Sequence, residues 1–564
     1  MKFQDFVYRR PDIRDLEGKL NELVLKFEAA DSSEDQHAII AEINELRRDY
    51  ESAGHIVYIR NTIDTTDPFY KEEQDFLDEA GPIYQGMVTR YYKALLGSGF
   101  RSELEQQWGK QLFRIAEMSL RTFSPDIVEL LQRENKLSSE FTRLLASAKI
   151  PFEGEERNLS QLATFAHSTN RETRKKASEA RTAYFAEQET RLDDIFDRLV
   201  KVRTEIARKL GYRNFVELGY VRMNRSDYNA ANVANFREQV RQFIVPITMT
   251  LKERQRQRIG VDVFRYYDDA FYFKTGNAKP KGDPDQIVAN ALKMYSGLSP
   301  ETGEFFSMMI DRELMDLLSK EGKAGGGYCA MIGKYKAPFI FANFNGTYSD
   351  IDVLTHEAGH AFQALSSWDY KVPEYEFPTA EAGEIHSMTM EFFAYPWMDL
   401  FFQEDEDKYK FNHMSNAVLF LPNGAAYDEF QHFVYEYPEA SPADRKRAWR
   451  EIEKKYVPYR NYEGNDFLER GNVWLQNGHV FTIPFYYIDY ALARMCSFQL
   501  WQKANADPAA AWSDYLALCK AGGSRSFLEL LEIGNLNSPF ADGCVEGLIG
   551  DIERWLDRIE DQHL

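Results

Sequence analysis

The sequence has few cysteines and no long apolar run, and each absence excludes a class of protein. Four cysteines in 564 residues are too few for a disulfide framework, and no two of them have CxxC spacing. No stretch approaches the roughly 18 apolar residues of a membrane span, and residues 1–12 lack the apolar core of a secretion signal. We therefore expect a cytoplasmic protein without a membrane anchor, whose cysteines are reduced thiols in buried packing: Cys329, Cys496, Cys519 and Cys544.

Basic residues are also in short supply. The chain has 68 Lys and Arg against 89 Asp and Glu, for a formal net charge of -21, and no Lys/Arg-rich block. Such a surface repels a phosphate backbone, so we predict no nucleic acid partner. Gly/Ser linkers are absent as well, which leaves the lobe boundaries unmarked. The length allows two or more lobes, and we place the division near residue 200, giving regions 1–200 and 201–564.

Helical periodicity dominates most of the chain up to about residue 320. In residues 13–50, apolar side chains recur at spacings of three and four, which is one face of a helix in two successive segments. The segment Asp31-Ser32-Ser33-Glu34 between them supplies turn and N-cap chemistry. These residues predict a helical hairpin, and the chain as a whole predicts a mainly α fold; the apolar positions are Leu16, Leu20, Leu23, Phe27, Ile39, Ile40, Ile43 and Leu46.

The pattern changes after Gly325-Gly326-Gly327. Residues 337–346 are rich in aromatic and strand-favouring side chains and end in a turn, which predicts a short β ribbon. The triple glycine lacks the Gly-Lys-Ser/Thr of a phosphate-binding loop, so we interpret it as a flexible loop.

The segment His356-Glu357-Ala358-Gly359-His360 is an HExxH motif in a helix-compatible context. Residues four apart lie on one helix face, with Cβ atoms about 6 Å apart, so two imidazoles can converge on one metal ion. Glu357 can then reach a water on that ion. An HExxH motif indicates a zinc site with a carboxylate base.

A catalytic zinc also needs a third protein ligand. The helix-like segment 379–393 offers Glu381, Glu384, His386 and Glu391, and spacing alone leaves the choice among them open.

Two regions carry a more specific resemblance. Residues 338–360 and Glu384-Ile385-His386-Ser387-Met388-Thr389-Met390-Glu391 resemble the thimet oligopeptidase and oligoendopeptidase F group of zinc metallopeptidases, which includes Pz-peptidase-like oligopeptidases. In that family, the first Glu of a Glu-x-x-Ser-x-x-x-Glu pattern is the third zinc ligand. The resemblance therefore implies one Zn²⁺ per chain, held by His356, His360 and Glu384, with Glu357 as the general base.

The segment Asn477 to Ala491 resembles a second family pattern, a His followed by Pro-Phe-Tyr and a further Tyr. In the family these groups line the substrate cleft and donate hydrogen bonds to the scissile carbonyl, which implies that role for His479 and Tyr490. Tyr486 and Tyr487 are further candidates, because the alignment can shift by a residue or two. From the residues alone, this segment is more typical of a buried aromatic helix.

The resemblance implies a two-lobed helical metallopeptidase, with a deep substrate channel and the β ribbon beside the zinc-binding helix. Region 201–564 is then the catalytic domain. The implied activity is cleavage of internal bonds of short oligopeptides, with Pro/Gly-containing collagen-like peptides as candidate substrates. Gln363 departs from the group, which often has a histidine at that position.

Two other functions stay open. A di-iron carboxylate protein would use Glu357-x-x-His360 and Glu429-x-x-His432 as its ligand pairs, and a non-catalytic peptide-binding scaffold would keep the helical shell without turnover.

Overall fold

The computed structural model describes residues 1–564 and is mainly helical, as predicted. Single turns of 3₁₀-helix join several of the α-helices. The first thirteen helices are α1 (Ile13–Ala29), α2 (Ser33–Ile63), α3 (Pro68–Leu96), α4 (Arg101–Trp108), α5 (Lys110–Thr122), α6 (Val128–Ala146), α7 (Leu159–Ala163), α8 (Arg171–Lys209), α9 (Phe215–Arg222), α10 (Ala230–Gln239), α11 (Val245–Ile259), α12 (Pro284–Leu298) and α13 (Pro300–Asp311).

The remaining helices follow the larger of two small sheets. They are α14 (Ser349–Ser366), α15 (Ala380–Phe393), α16 (Asp399–Phe402), α17 (Glu406–Glu436), α18 (Pro442–Tyr456), α19 (Asp466–Glu469), α20 (Gly478–Thr482), α21 (Tyr487–Ala506), α22 (Pro508–Ala521), α23 (Phe527–Ile533) and α24 (Cys544–Asp557).

The predicted helical hairpin is confirmed in α1 and α2. Asp12 begins α1 by accepting hydrogen bonds from the backbone N–H groups of Arg14 and Asp15, and Ser32 caps α2 through Asp35. These caps satisfy backbone donors that have no partner within the helix. The second helix continues beyond the predicted hairpin, to Ile63.

Five short strands form two sheets. Strands β1 (Ile150–Phe152) and β2 (Glu155–Arg157) make a two-stranded antiparallel ribbon. The larger sheet has the order β3–β5–β4, with β3 (Met315–Leu318) parallel and β4 (Tyr328–Ile332) antiparallel to the buried central strand β5 (Ala337–Phe344). This sheet confirms the predicted β ribbon and adds a strand that the sequence pattern did not predict. Strand β4 is an edge strand, and it follows the irregular loop at Gly325–Gly327.

The two larger of three apolar cores organise the helices. The larger one runs through the molecule from Phe6 to Leu556. The smaller one, which we call the N-terminal core, is built mainly from α1, α2, α3 and α5, and is completed by Val372 and Tyr375. The division near residue 200 falls within the continuous helix α8 and stays a prediction.

The four cysteines are free thiols, with Cys496 and Cys519 buried and Cys329 and Cys544 partly buried. None of the helices combines the length and the apolar character required to cross a membrane.

Candidate metal centre and catalytic groups

Helix α14 presents His356 and His360 on one face. The two side chains are one helical turn apart, and their ring centroids are separated by 5.1 Å. Gly359 lies between them against α15, where a Cβ atom would be 2.7 Å from the Cα atom of Ser387. Only glycine allows the two helices to approach this closely. The small residue within the motif therefore brings α15 up to the two histidines.

Helix α15 places Glu384 opposite both imidazoles. Its Oε2 atom lies 3.1 Å from His356 Nε2 and 3.4 Å from His360 Nε2, and the donor atoms of the three residues all lie within 4.8 Å of one another. Two ligands at 2.0–2.2 Å from a tetrahedral zinc ion are about 3.3 Å apart. Two nitrogens and one carboxylate at this spacing fit a zinc ion.

Charges in this cluster favour a cation. Burial alone would raise the pKa of Glu384, but His360 and His356 hold that pKa well below its ordinary value. Burial likewise opposes protonation of His356, yet hydrogen bonds to Glu384 and Glu391 hold its pKa well above the ordinary value. Both shifts have the same cause, the attraction between the imidazoles and the buried carboxylates, and a buried carboxylate beside two imidazoles favours a cation.

A buried carboxylate orients His356 from behind. Glu391 Oε1 lies 2.7 Å from His356 Nδ1, the ring nitrogen that does not face Glu384. The other oxygen of Glu391 accepts a hydrogen bond from Arg494 and lies within hydrogen-bonding distance of His413 Nε2, each at 2.9 Å. Histidines that bind metals commonly donate their second nitrogen to such a carboxylate, which fixes the tautomer and the ring orientation.

Glu357 follows His356 and is not part of the donor cluster. Its side chain is 5% exposed, and its Oε2 atom has no hydrogen-bond partner. Burial raises the pKa of this carboxyl group, although the two histidines oppose the shift. The loop before β4 passes close by, since a Cβ atom on Gly327 would lie 3.2 Å from Glu357 Oε1.

The aromatic segment 479–490 faces the same centre. The Tyr486 hydroxyl donates to Glu384 Oε1, and Tyr490 Oη lies 3.2 Å from His479 Nε2. The His479 ring stacks on Tyr486 at a centroid distance of 5.5 Å, and Tyr487 lies at the same distance in a tilted arrangement. All eight predicted site residues therefore lie in or beside one cluster, with Tyr487 packed against His479 and away from Glu384.

The other side chains considered as third ligands lie elsewhere. Glu381 is buried near Arg225, and burial raises its pKa to about 7 against the opposing effect of that arginine. His386 is buried as well, and burial lowers its pKa to about 4. Glu391 contacts His356 only through Nδ1. Of the four candidates, Glu384 is the one whose carboxylate faces both imidazoles.

The sequence did not indicate His413 or Arg494. They reach Glu391 from α17 and α21, and a single histidine or arginine on a long helix carries no local pattern that marks such a contact. Glu429 and His432, the second ligand pair that a di-iron site would need, have other partners. Glu429 binds Lys455 and Tyr456, each at 2.7 Å, and His432 lies beside Tyr220.

Comparison with known proteins agrees with this geometry. Residues 3–123 match the peptidase M3 N-terminal domain, and residues 164–300 and 301–548 match peptidase family M3. The chain belongs to peptidase family M3. The family match supports a peptide hydrolase of the metallopeptidase type.

Solved structures extend the M3 match over the full length. The structure described as PZ peptidase A with inhibitor 2 is 59% identical, with a TM-score of 0.99 and 100% of both chains covered. A structure from Bacillus anthracis strain Ames, provisionally named oligoendopeptidase F, is 56% identical, with a TM-score of 0.94 over 100% of this chain and 99% of that one.

A curated relative, the oligoendopeptidase F homolog of Borreliella burgdorferi, is 23% identical over 290 residues. That match covers 49% of this chain and 48% of the relative, so it spans about half of each protein.

Proposed function

We propose that this protein is a zinc metalloendopeptidase that hydrolyses internal bonds of short oligopeptides. The observation that carries the proposal is the convergence of His356, His360 and Glu384 within 4.8 Å of one another, beside the partnerless carboxylate of Glu357. A merely structural metal site would be closed by a fourth protein ligand. Here the group next to the three ligands is a carboxylate outside the donor cluster, which suits a proton acceptor.

His356, His360 and Glu384 would hold one zinc ion. When bound, zinc lowers the pKa of a coordinated water and polarises a peptide carbonyl. Glu391 would keep the Nε2 atom of His356 directed at the ion, and Tyr486 and Ser387, which both donate to Glu384, would hold the third ligand in place.

Glu357 would act as the general base. Its free Oε2 atom can accept a proton from the attacking water and deliver it to the amine that leaves. No covalent bond between the protein and the substrate is needed.

His479 and Tyr490 would stabilise the carbonyl oxygen as it gains negative charge. Because Tyr490 Oη lies 3.2 Å from His479 Nε2, His479 can donate to the tyrosine oxygen and leave the Tyr490 O–H to donate to the carbonyl oxygen. A preorganised donor of this kind contributes about 2.7–4 kcal/mol to catalysis. Tyr486 would donate to Glu384 and also stack on the His479 ring. Tyr487 would pack against the same ring and hold it in position.

The substrates would be short peptides bound in an extended form, which β4 can accompany as an edge strand. We include Pro/Gly-containing, collagen-like peptides among the proposed substrates. The proposal also includes a cytoplasmic location and one zinc ion per chain. The net charge of -21 repels the phosphate backbone of a nucleic acid, so no nucleic acid partner is proposed.

The test combines metal content with peptide cleavage. Wild type and Glu357→Gln are measured by mass spectrometry for metal and with a quenched fluorescent oligopeptide for turnover. We expect one zinc per chain in both proteins and cleavage only by the wild type. Iron in place of zinc would favour a di-iron protein, peptide binding without turnover by the wild type would favour a scaffold, and full activity of the variant would exclude Glu357 as the base.

A further inference from the structure

Phe485 has a backbone conformation that a bulky residue rarely adopts. Its φ angle is +69°, in the left-handed region, where the Cβ atom of an L-residue crowds the following carbonyl oxygen. The other non-glycine residues with a positive φ are all polar, and none of them belongs to the segment 479–490. Such outliers persist only where the surrounding structure determines them, and they cluster at functional sites. Because Phe485 directly precedes Tyr486, its conformation sets the direction in which the chain enters α21.

Both backbone polar groups of Phe485 are bound by buried side chains. Gln431 Oε1, on α17, accepts a hydrogen bond from the Phe485 N–H at 2.7 Å, and the Arg225 guanidinium donates to the Phe485 carbonyl, also at 2.7 Å. The same nitrogen of Arg225 donates at 2.6 Å to Asp489 Oδ1, in the first turn of α21. All three side chains belong to buried residues. Arg225 therefore ties the turn before α21 to the first turn of that helix.

The Phe485 ring is held as closely as its backbone. It is fully buried, and its centroid lies 5.3–5.7 Å from the rings of Tyr220, His432 and Tyr435. Gly219 of α9 faces the ring, since a Cβ atom there would be 2.5 Å from Phe485 Cδ2. An ordinary contact between two carbon atoms is about 3.5 Å. A single methyl group on Gly219 would therefore displace the ring by about 1 Å.

The turn at Phe485 leads directly into the groups of the candidate centre. Tyr486 donates to Glu384, and its ring stacks on His479. Tyr490, one helical turn further along α21, has its Oη atom 3.2 Å from His479 Nε2. A change in the Phe485 backbone would move both tyrosines relative to the metal ligand and the imidazole.

We propose that the left-handed turn at Phe485 positions Tyr490 for the reaction. Gly219, Gln431 and Arg225 are then positioning residues, which act on the reaction only through this turn. The inference rests on the proposed peptidase function, in which Tyr490 donates to the carbonyl oxygen. A displacement of about 1 Å in a reacting group can cost about 100-fold in rate. The steric fit at Gly219 therefore affects catalysis, although Gly219 is not among the reacting groups.

The test adds one methyl group to Gly219. Gly219→Ala replaces a glycine inside a helix by a better helix former, so a loss of activity cannot come from a weaker α9. We expect kcat per bound zinc to fall about 10–100-fold and KM to stay within about twofold, because the Tyr490 hydrogen bond strengthens in the transition state. In a crystal structure of the variant, the Phe485 ring should be displaced, and the distance between Tyr490 Oη and His479 Nε2 should depart from 3.2 Å.

Gly54→Ala is the matched control. Gly54 lies inside α2, and a Cβ atom there would have no packing neighbour within 4 Å, so kcat and KM should keep their wild-type values. Gly219→Ala combined with Phe485→Leu should recover part of the kcat that Gly219→Ala alone loses. Leucine has no ε carbon, and its δ carbons can rotate away from the new methyl group. Strictly additive losses in the double variant would overturn the proposal.

Gln431 provides an independent variant that leaves the ring contact unchanged. Gln431→Met removes the acceptor of the Phe485 N–H, and we expect it to lower kcat about tenfold, the size of one lost buried hydrogen bond, with KM unchanged. Gln431→Glu keeps an oxygen in that position and should retain more of the wild-type kcat. Equal losses in the two variants would show that the hydrogen bond to Phe485 does not position the turn, and the proposal would be wrong.

Three other results separate the proposal from its alternatives. A wild-type kcat in Gly219→Ala, or an undisturbed Tyr490 in its structure, would show that the fit at Gly219 does not reach the reacting groups. A loss of zinc that accounts for all of the lost activity would show that Phe485 supports the metal site and not Tyr490. Absence of cleavage by the zinc-loaded wild type would count against the peptidase function itself, and the structure of Gly219→Ala would still decide whether Phe485 sets the position of Tyr490.

Discussion

Glu391 Oε1 lies 2.7 Å from His356 Nδ1, on the side of the imidazole opposite Glu384. The carboxylate is 4% exposed and holds its charge because Arg494 and His413 contact its other oxygen. Burial alone would raise the pKa of Glu391, but Arg494 and the two histidines keep it well below its ordinary value.

Replacing Glu391 should therefore weaken metal binding without removing a ligand. Loss of a carboxylate that orients a metal-binding histidine costs about 10–100-fold in metal affinity. We expect Glu391→Gln to raise the zinc dissociation constant by that factor, measured by competition with a chromophoric chelator. Glu429→Gln, which removes a glutamate paired with Lys455 outside the centre, should bind zinc as the wild type does. Unchanged affinity in Glu391→Gln would rule out the positioning role.

Removal of the metal should lower thermal stability. A ligand that binds only the folded state stabilises it by about 2.7 kcal/mol at a free concentration 100 times its dissociation constant. We expect the chelated protein to melt several degrees lower, with faster amide exchange in α14 and α15. Glu357→Gln should show the same metal-dependent shift, because Glu357 is not a ligand, whereas His360→Ala should show none. A shift that survives in His360→Ala would place the metal elsewhere.

Arg47 and Glu374 form a buried ion pair that joins α2 to the loop between α14 and α15. Their side chains are 5% and 6% exposed, and the N–O distance is 2.7 Å. Removing one member of such a pair leaves a buried charge and costs about 3–5 kcal/mol. Arg47→Met should therefore be strongly destabilised towards urea, while Arg47→Met combined with Glu374→Gln should be much less destabilised than the sum of the single changes. Additive effects would show that the two side chains are not coupled.

Glu376, in the same loop, should make stability depend on pH. Burial, assisted by the charge of Glu51, raises the pKa of this carboxyl group from 4.5 to about 7. Between these values the folded state binds more protons than the unfolded state, so stability falls as pH rises through that window. Glu376→Gln removes this penalty. We expect the stability of the variant relative to wild type to be about 3 kcal/mol more favourable at pH 8 than at pH 4.5. A difference that does not change with pH would contradict the assignment.

The sequence predicted what depends on local spacing. His356 and His360 could be placed together because residues four apart share a helix face, and α1 and α2 followed from their apolar periodicity and caps. Glu384 required the resemblance, since Glu381 and His386 have an equally suitable spacing.

The rest depends on tertiary packing. His413 and Arg494 come from helices far along the chain, and nothing in their own segments indicates that both meet at Glu391. Strand β3 is only four residues long, and it pairs directly with β5, although β4 lies between them in the sequence. Its short pattern therefore gave no usable signal.

The N-terminal core is completed by Val372 and Tyr375, which come from the loop between α14 and α15, the helices that carry the candidate metal ligands. The Tyr375 hydroxyl donates to the carbonyl of Trp108 and accepts from the N–H of Leu112. Truncating residues 1–123 would thus expose apolar surface in the very loop that links α14 to α15. The N-terminal helices therefore cannot be removed without disturbing this loop. A chimera between relatives would have to exchange residues 370–376 together with these helices.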